Sequence, residues 1–106
     1  MKIWVDDVRP APDGYVWCKS VNEAKHRIRQ IEHDVSVDSS KYSAINLLDL
    51  DHDAGKFAQH GGDYIKLLDW CEQTGRKYPI RIHSMNVVGR QNMLAICERN
   101  GWKVVK

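Results

Sequence analysis

The sequence predicts an α/β domain on an open, mainly parallel sheet with helices on both faces. Two observations carry that expectation. Short runs of strand-forming residues alternate with stretches whose apolar side chains recur every three or four positions. One run, Ala44 to Leu50, is apolar almost throughout, as in a strand buried on both faces. At 106 residues the chain is long enough for one core and too short for two, so residues 1–106 read as a single domain.

Lys2 to Val5 is the first strand, closed by Asp6-Asp7. Asp6 to Gly14 holds Pro10 and Pro12, which continue neither a helix nor a central strand, so it is a loop. Tyr15 to Cys18 is a second short strand, and its helix-less connection is short for a parallel crossover, which marks it as an irregular edge strand. Ser20-Val21-Asn22-Glu23 has the form of a capping box, and Val21, Ala24, Ile28 and Ile31 give the following helix one apolar face. His33 to Ser43 is polar and precedes the Ala44–Leu50 strand. Lys56 to Gly62 reads as a polar insertion. Asp63 is placed to cap a helix whose stripe is Tyr64, Leu67, Leu68 and Cys71 and whose stop is Gly75. Pro79 opens the strand Ile80 to His83. A last helix carries Met93, Ile96 and Cys97 and ends at Asn100-Gly101, before a fifth strand, Trp102 to Val105.

Composition narrows the function. Sixteen basic and fourteen acidic side chains leave a net charge of +2, too even for duplex nucleic-acid binding. No apolar run approaches the ~20 residues that span a bilayer, and Met1 to Trp4 runs into acids instead of a signal-peptide core. Cys18, Cys71 and Cys97 lack metal-ligand spacing and read as buried, reduced thiols of a cytoplasmic protein. The four tryptophans read as core or core rim, and His26, His33 and His60 as surface residues.

The chemistry collects where an open α/β sheet binds ligands, beyond the carboxyl ends of its strands. Three clusters lie there. Asp6, Asp7 and Asp51 form an all-oxygen set suited to Mg²⁺ or Mn²⁺, unless these acids serve as caps or pair with Arg9. His52, Asp53 and His83 could supply acid/base chemistry, a carboxylate fixing the tautomer of a ring, although single histidines are more often structural. Ser84, Asn86, Gly89 and Arg90 form a strand-to-helix junction whose backbone N–H groups and guanidinium suit a phosphate, with an ordinary helix cap as the competing reading. Arg9 joins this phosphate-binding set.

Strand-Asp-Asp, strand-Asp, strand-Ser resembles the acidic pocket of response-regulator receiver domains. Val5-Asp6-Asp7-Val8-Arg9-Pro10, Leu50-Asp51-His52-Asp53-Ala54-Gly55 and Ile82-His83-Ser84-Met85-Asn86-Val87-Val88-Gly89-Arg90 resemble more closely the cyclic-phosphate-processing receiver domains, over essentially the whole chain. The resemblance implies a flavodoxin-like five-stranded sheet of order 2-1-3-4-5 with the first helix missing. It also implies a small phosphorylated ligand, a nucleotide or an RNA end with a cyclic phosphate. Carried over, Asp6 and Asp7 match the acidic pair and Asp51 the phosphoacceptor position, while Asp49 lies on the same strand face as Asp51. No Lys-Pro pair follows the last strand, and that lysine stabilises the phosphoaspartate of receivers, which argues against phosphorelay. The expected function is a metal-assisted phosphoesterase acting on cyclic phosphates; the competing one is a non-catalytic signalling or cyclic-nucleotide-sensing module.

Overall fold

The computed structural model describes residues 1–37 and 45–106. Four parallel strands, β1 (Lys2–Val5), β2 (Tyr15–Cys18), β3 (Leu47–Leu50) and β4 (Ile80–Ile82), form one sheet of order β2-β1-β3-β4. Helices α1 (Val21–Val37), α2 (Ile65–Thr74) and α3 (Val87–Asn100) complete the fold, with a short 3-10 helix over Gly55–His60. Ala44, expected to open β3, lies outside the described residues. The polar stretch expected after Ile31 is helical as far as Val37.

The expected fifth strand is not a strand. Trp102 to Val105 touches β4 through one parallel bridge, Ile80 to Val104. Only Trp102 of this segment reaches the core, and Val104 stays 38% exposed. The outer edge of β4 therefore needs another partner at Ile82, and the Arg90 guanidinium donates to that carbonyl.

Helices were expected on both faces, and the side chains place them on one. Ile3, Val5, Cys18, Leu48, Leu50, Ile80 and Ile82 share a cluster with the apolar stripes of all three helices. The register puts Lys2, Trp4, Tyr15, Trp17, Leu47, Asp49 and Arg81 on the opposite face. Charged side chains break the apolar surface there, so it offers an amphipathic helix no continuous seat. The connection after β1 folds against it: Trp4 Nε1 donates to the Arg9 carbonyl (2.9 Å), and the Val8 and Arg9 N–H groups donate to Asp6 Oδ1 (2.9 Å each). This Asx-type turn replaces a crossover helix, and β2 pairs with β1 in full register.

Helix ends follow the sequence closely. Ser20 Oγ accepts the Glu23 N–H (3.0 Å), while Gly75 and Gly101 end α2 and α3 in left-handed conformations, φ 70° and 66°. Asp63 does not cap α2, because its Oδ1 accepts the Ala54 N–H (3.0 Å) and so ties down the loop after β3. Burial pushes the thiols of Cys18 and Cys71 up to about 12 and that of Cys97 up to about 11, which makes all three inert at neutral pH. Among the described residues no helix is long and apolar enough to cross a membrane.

Candidate functional site at the strand ends

The sheet ladder runs one residue past the strands and thereby builds the site. Asp6 N–H donates to the Cys18 carbonyl (3.2 Å), Asp51 N–H to Val5 (2.9 Å) and His83 N–H to Leu50 (2.9 Å). Three chemically active residues from distant parts of the sequence are thus held at one level on one rim.

Asp6, Asp7 and Asp51 converge, with one carboxylate oxygen from each lying within 4.8 Å of the others. Asp6 is fully buried. Burial alone would raise its proton affinity, but the backbone N–H groups of Arg9 and Val8 and then His83 outweigh it, leaving its carboxyl below the usual range. Asp7 is shifted the other way, first by burial and then by the charges of Asp6 and Asp51. Asp51 is half-buried, and its Oδ1 accepts the His52 N–H (2.8 Å). Three hard oxygen donors, one of them repelled by its neighbours, fit a divalent cation such as Mg²⁺ or Mn²⁺. Gly55 (φ 55°) makes room here: a Cβ on it would stand 2.5 Å from Asp7 Oδ2.

The His52 ring packs against Gly89 at the start of α3. Its Nδ1 lies 2.8 Å from Asp53 Oδ1, and its side chain is 15% exposed. The hydrogen bond from His52, more than any other contact, holds the Asp53 carboxyl below its ordinary range. Asn86 joins this pair with its amide nitrogen 3.3 and 3.4 Å from the two Asp53 oxygens, while its own Oδ1 caps α3 by accepting the Gly89 N–H (2.9 Å). Asp63, unremarked in the sequence beyond its capping position, also comes within 4.8 Å of the ligand atoms of His52 and Asp53.

At Gly89, part of the junction expected to hold a phosphate, the space beside the backbone is filled by His52, whose ring carbons lie 2.5 Å from where a Cβ would stand. Asn86 and Ser84 face protein: Ser84 is buried and its Oγ accepts the Asn86 N–H (3.1 Å). Among the described residues, no capping contact reaches the N–H groups of Val87 and Val88 in the first turn of α3. Arg9 and Arg90 hold the end of β4 from the carbonyls of His83 (3.2 Å) and Ile82. Among the described residues neither guanidinium pairs with a carboxylate, and each keeps further N–H donors.

His83 departs furthest from expectation. Its Nε2 lies 2.9 Å from Asp6 Oδ2 and its Nδ1 2.7 Å from Asp49 Oδ1, both carboxylates being fully buried. Trp4 stacks on the ring at 3.8 Å and 4°. Both ring nitrogens of His83 are thus engaged by buried carboxylates, and the ring is tied into the protein below the pocket. From the sequence, Asp49 was placed only on the same strand face as Asp51. Its signal was alternation, which puts it on the rim's own face one pleat below Asp51.

A family model for the cyclic-phosphate processing receiver domain matches residues 1–99. No curated protein and no solved structure matches the chain significantly. With its parallel sheet, its acidic strand ends and this match over nearly its whole length, the chain belongs to the cyclic-phosphate processing receiver domains.

Proposed function

We propose that the chain is a metal-assisted phosphoesterase acting on cyclic phosphates of nucleotides or RNA ends. The observation that carries this reading is the joining, on consecutive residues of one strand end, of the Asp6–Asp7–Asp51 cluster to the His52–Asp53 pair. Asp7 and Asp51, with Asp6, would hold Mg²⁺ or Mn²⁺, which when bound supplies positive charge to the phosphate oxygens. Asp53 fixes His52 as the Nδ1–H tautomer, which leaves Nε2 to accept a proton. As the water oxygen bonds to phosphorus and one ring P–O bond breaks, His52 takes the water's proton and returns it to the departing ribose oxygen. Arg9 and Arg90 bind the remaining phosphate oxygens through their free guanidinium donors. Ser84, Asn86 and Gly89 act on the ligand indirectly, by shaping the junction and seating His52 and Asp53.

One observation favours a sensing module instead. With His83 committed to two carboxylates, a single histidine remains for both proton transfers. Incubation with a panel of 2′,3′- and 3′,5′-cyclic nucleotides, with and without Mg²⁺ or Mn²⁺, separates the two. Metal-dependent ring opening supports the enzyme; tight binding of an intact cyclic nucleotide without turnover supports the sensor.

A further inference from the structure

Beneath the pocket runs a chain of hydrogen bonds that the proposed reaction does not use. Asp49 Oδ2 accepts from Arg81 Nη1 (2.9 Å) and lies 3.5 Å from the Tyr15 hydroxyl, Asp49 Oδ1 lies 2.7 Å from His83 Nδ1, and His83 Nε2 lies 2.9 Å from Asp6 Oδ2. Asp49 sits among leucines in the middle of β3 with no solvent exposure. An apolar side chain would fill such a position without desolvating a charge. The carboxylate is explained by what it holds.

We propose that Asp49 is a positioning residue for the acidic pocket: through His83 it fixes the carboxylate of Asp6 in the orientation that a divalent cation requires. This rests on the metal-binding reading of the pocket. Each ring nitrogen of His83 faces one buried carboxylate, so the imidazole bridges Asp49 to Asp6. Trp4, parallel to the ring at 3.8 Å, prevents it from turning. Asp6 is then held at three points, its Oδ1 by two backbone N–H groups and its Oδ2 by His83. Arg81, with 41% of its side chain exposed, anchors the far end of the chain on the sheet face that carries no helix among the described residues. Asp49 touches neither phosphate nor cation in this account; it acts through His83, as outer-shell partners of metal ligands do.

The test measures Mn²⁺ affinity of the full chain by calorimetry and the ¹⁵N–¹H correlations of its histidine rings. Asp49→Asn should weaken Mn²⁺ binding by about 10- to 100-fold, the usual cost of removing such a partner. Arg81→Ala should weaken it less, and Arg81→Lys should restore it. Asp49→Asn should also shift the His83 ring resonances. Unchanged Mn²⁺ affinity in a folded Asp49→Asn protein, with only its melting temperature lowered, overturns the proposal and leaves Asp49 a purely structural residue. If Asp49→Asn fails to fold, the Arg81→Ala and Arg81→Lys pair decides by the same affinities. A wild type that binds no Mn²⁺ contradicts the metal reading instead; His83 ring resonances unmoved by Asp49→Asn would then overturn the positioning role by itself.

Discussion

Asp6, Asp7 and Asp51 share a pocket but differ in how many donors already surround them. Asp6 accepts three hydrogen bonds, out of about four lone-pair sites on a carboxylate. Asp7 is the one that burial and its neighbours push upward. The apo protein is therefore expected to bear a cost at Asp7 that a cation relieves. In the wild type, Mn²⁺ at a hundred times Kd should add about 2.7 kcal/mol, roughly 10 °C or more in Tm for a domain of this size. Asp7→Asn should raise the apo Tm by a few degrees while abolishing the Mn²⁺ shift, and Asp51→Asn should abolish the shift too. Calorimetric scans with and without Mn²⁺ check this; a full shift in Asp7→Asn contradicts it. The pH dependence has two opposed parts. Asp6, shifted down, contributes stability that is present above the ordinary carboxylate range and lost as pH falls through its lowered value. Asp7, shifted up, favours the protonated fold, and that contribution is lost as pH rises from the ordinary value through the raised one. Acid unfolding should accordingly lose its dependence on Asp6 in Asp6→Asn, measured as a flatter acid limb of Tm against pH.

The elements were legible where local chemistry decides and illegible where packing does. The capping box at Ser20, the stops at Gly75 and Gly101 and all four strands could be read from the residues, because caps, left-handed glycines and strand formers act within a few positions. The extension of α1 to Val37 could not, since His33 to Val37 carries little apolar periodicity. Gly89 shows the same limit at the site. Its position in the sequence indicated a close approach, but only the fold shows that the approaching group is His52, from a strand end 37 residues earlier. Alanine normally favours a helix interior over glycine by about 1 kcal/mol. Gly89→Ala should nevertheless destabilise by about 1–3 kcal/mol, because its Cβ would overlap the His52 ring. It should also shift the His52 ring resonances while leaving Mn²⁺ affinity intact. A stabilised variant with an unmoved ring would contradict the packing described for this junction.

At the scale of the whole molecule, the helices of the described residues form a one-sided layer, and the other face of the sheet carries the loop after β1 and a buried polar chain that ends in the pocket. Part of this could be read in advance: Lys2, Asp49 and Arg81 recur on one face of three strands, a pattern that no covering helix would favour. The His83–Asp49 contact had no local signal, since its partners are 34 residues apart. The pocket differs from that of a phosphorelay in that, among the described residues, no lysine bonds into it. Acetyl phosphate is expected to leave no lasting adduct at Asp51 by intact-protein mass spectrometry, and a stable adduct would favour the signalling role. His52 is proposed to transfer the proton in a metal-dependent opening of a cyclic phosphate. Its most direct test is turnover of the cyclic nucleotides by wild type and His52→Ala at saturating Mg²⁺, with Mn²⁺ affinity measured on both. Loss of kcat by about 10²- to 10⁴-fold with cation binding intact is the predicted result; no ring opening by the wild type, or full activity in His52→Ala, would contradict it.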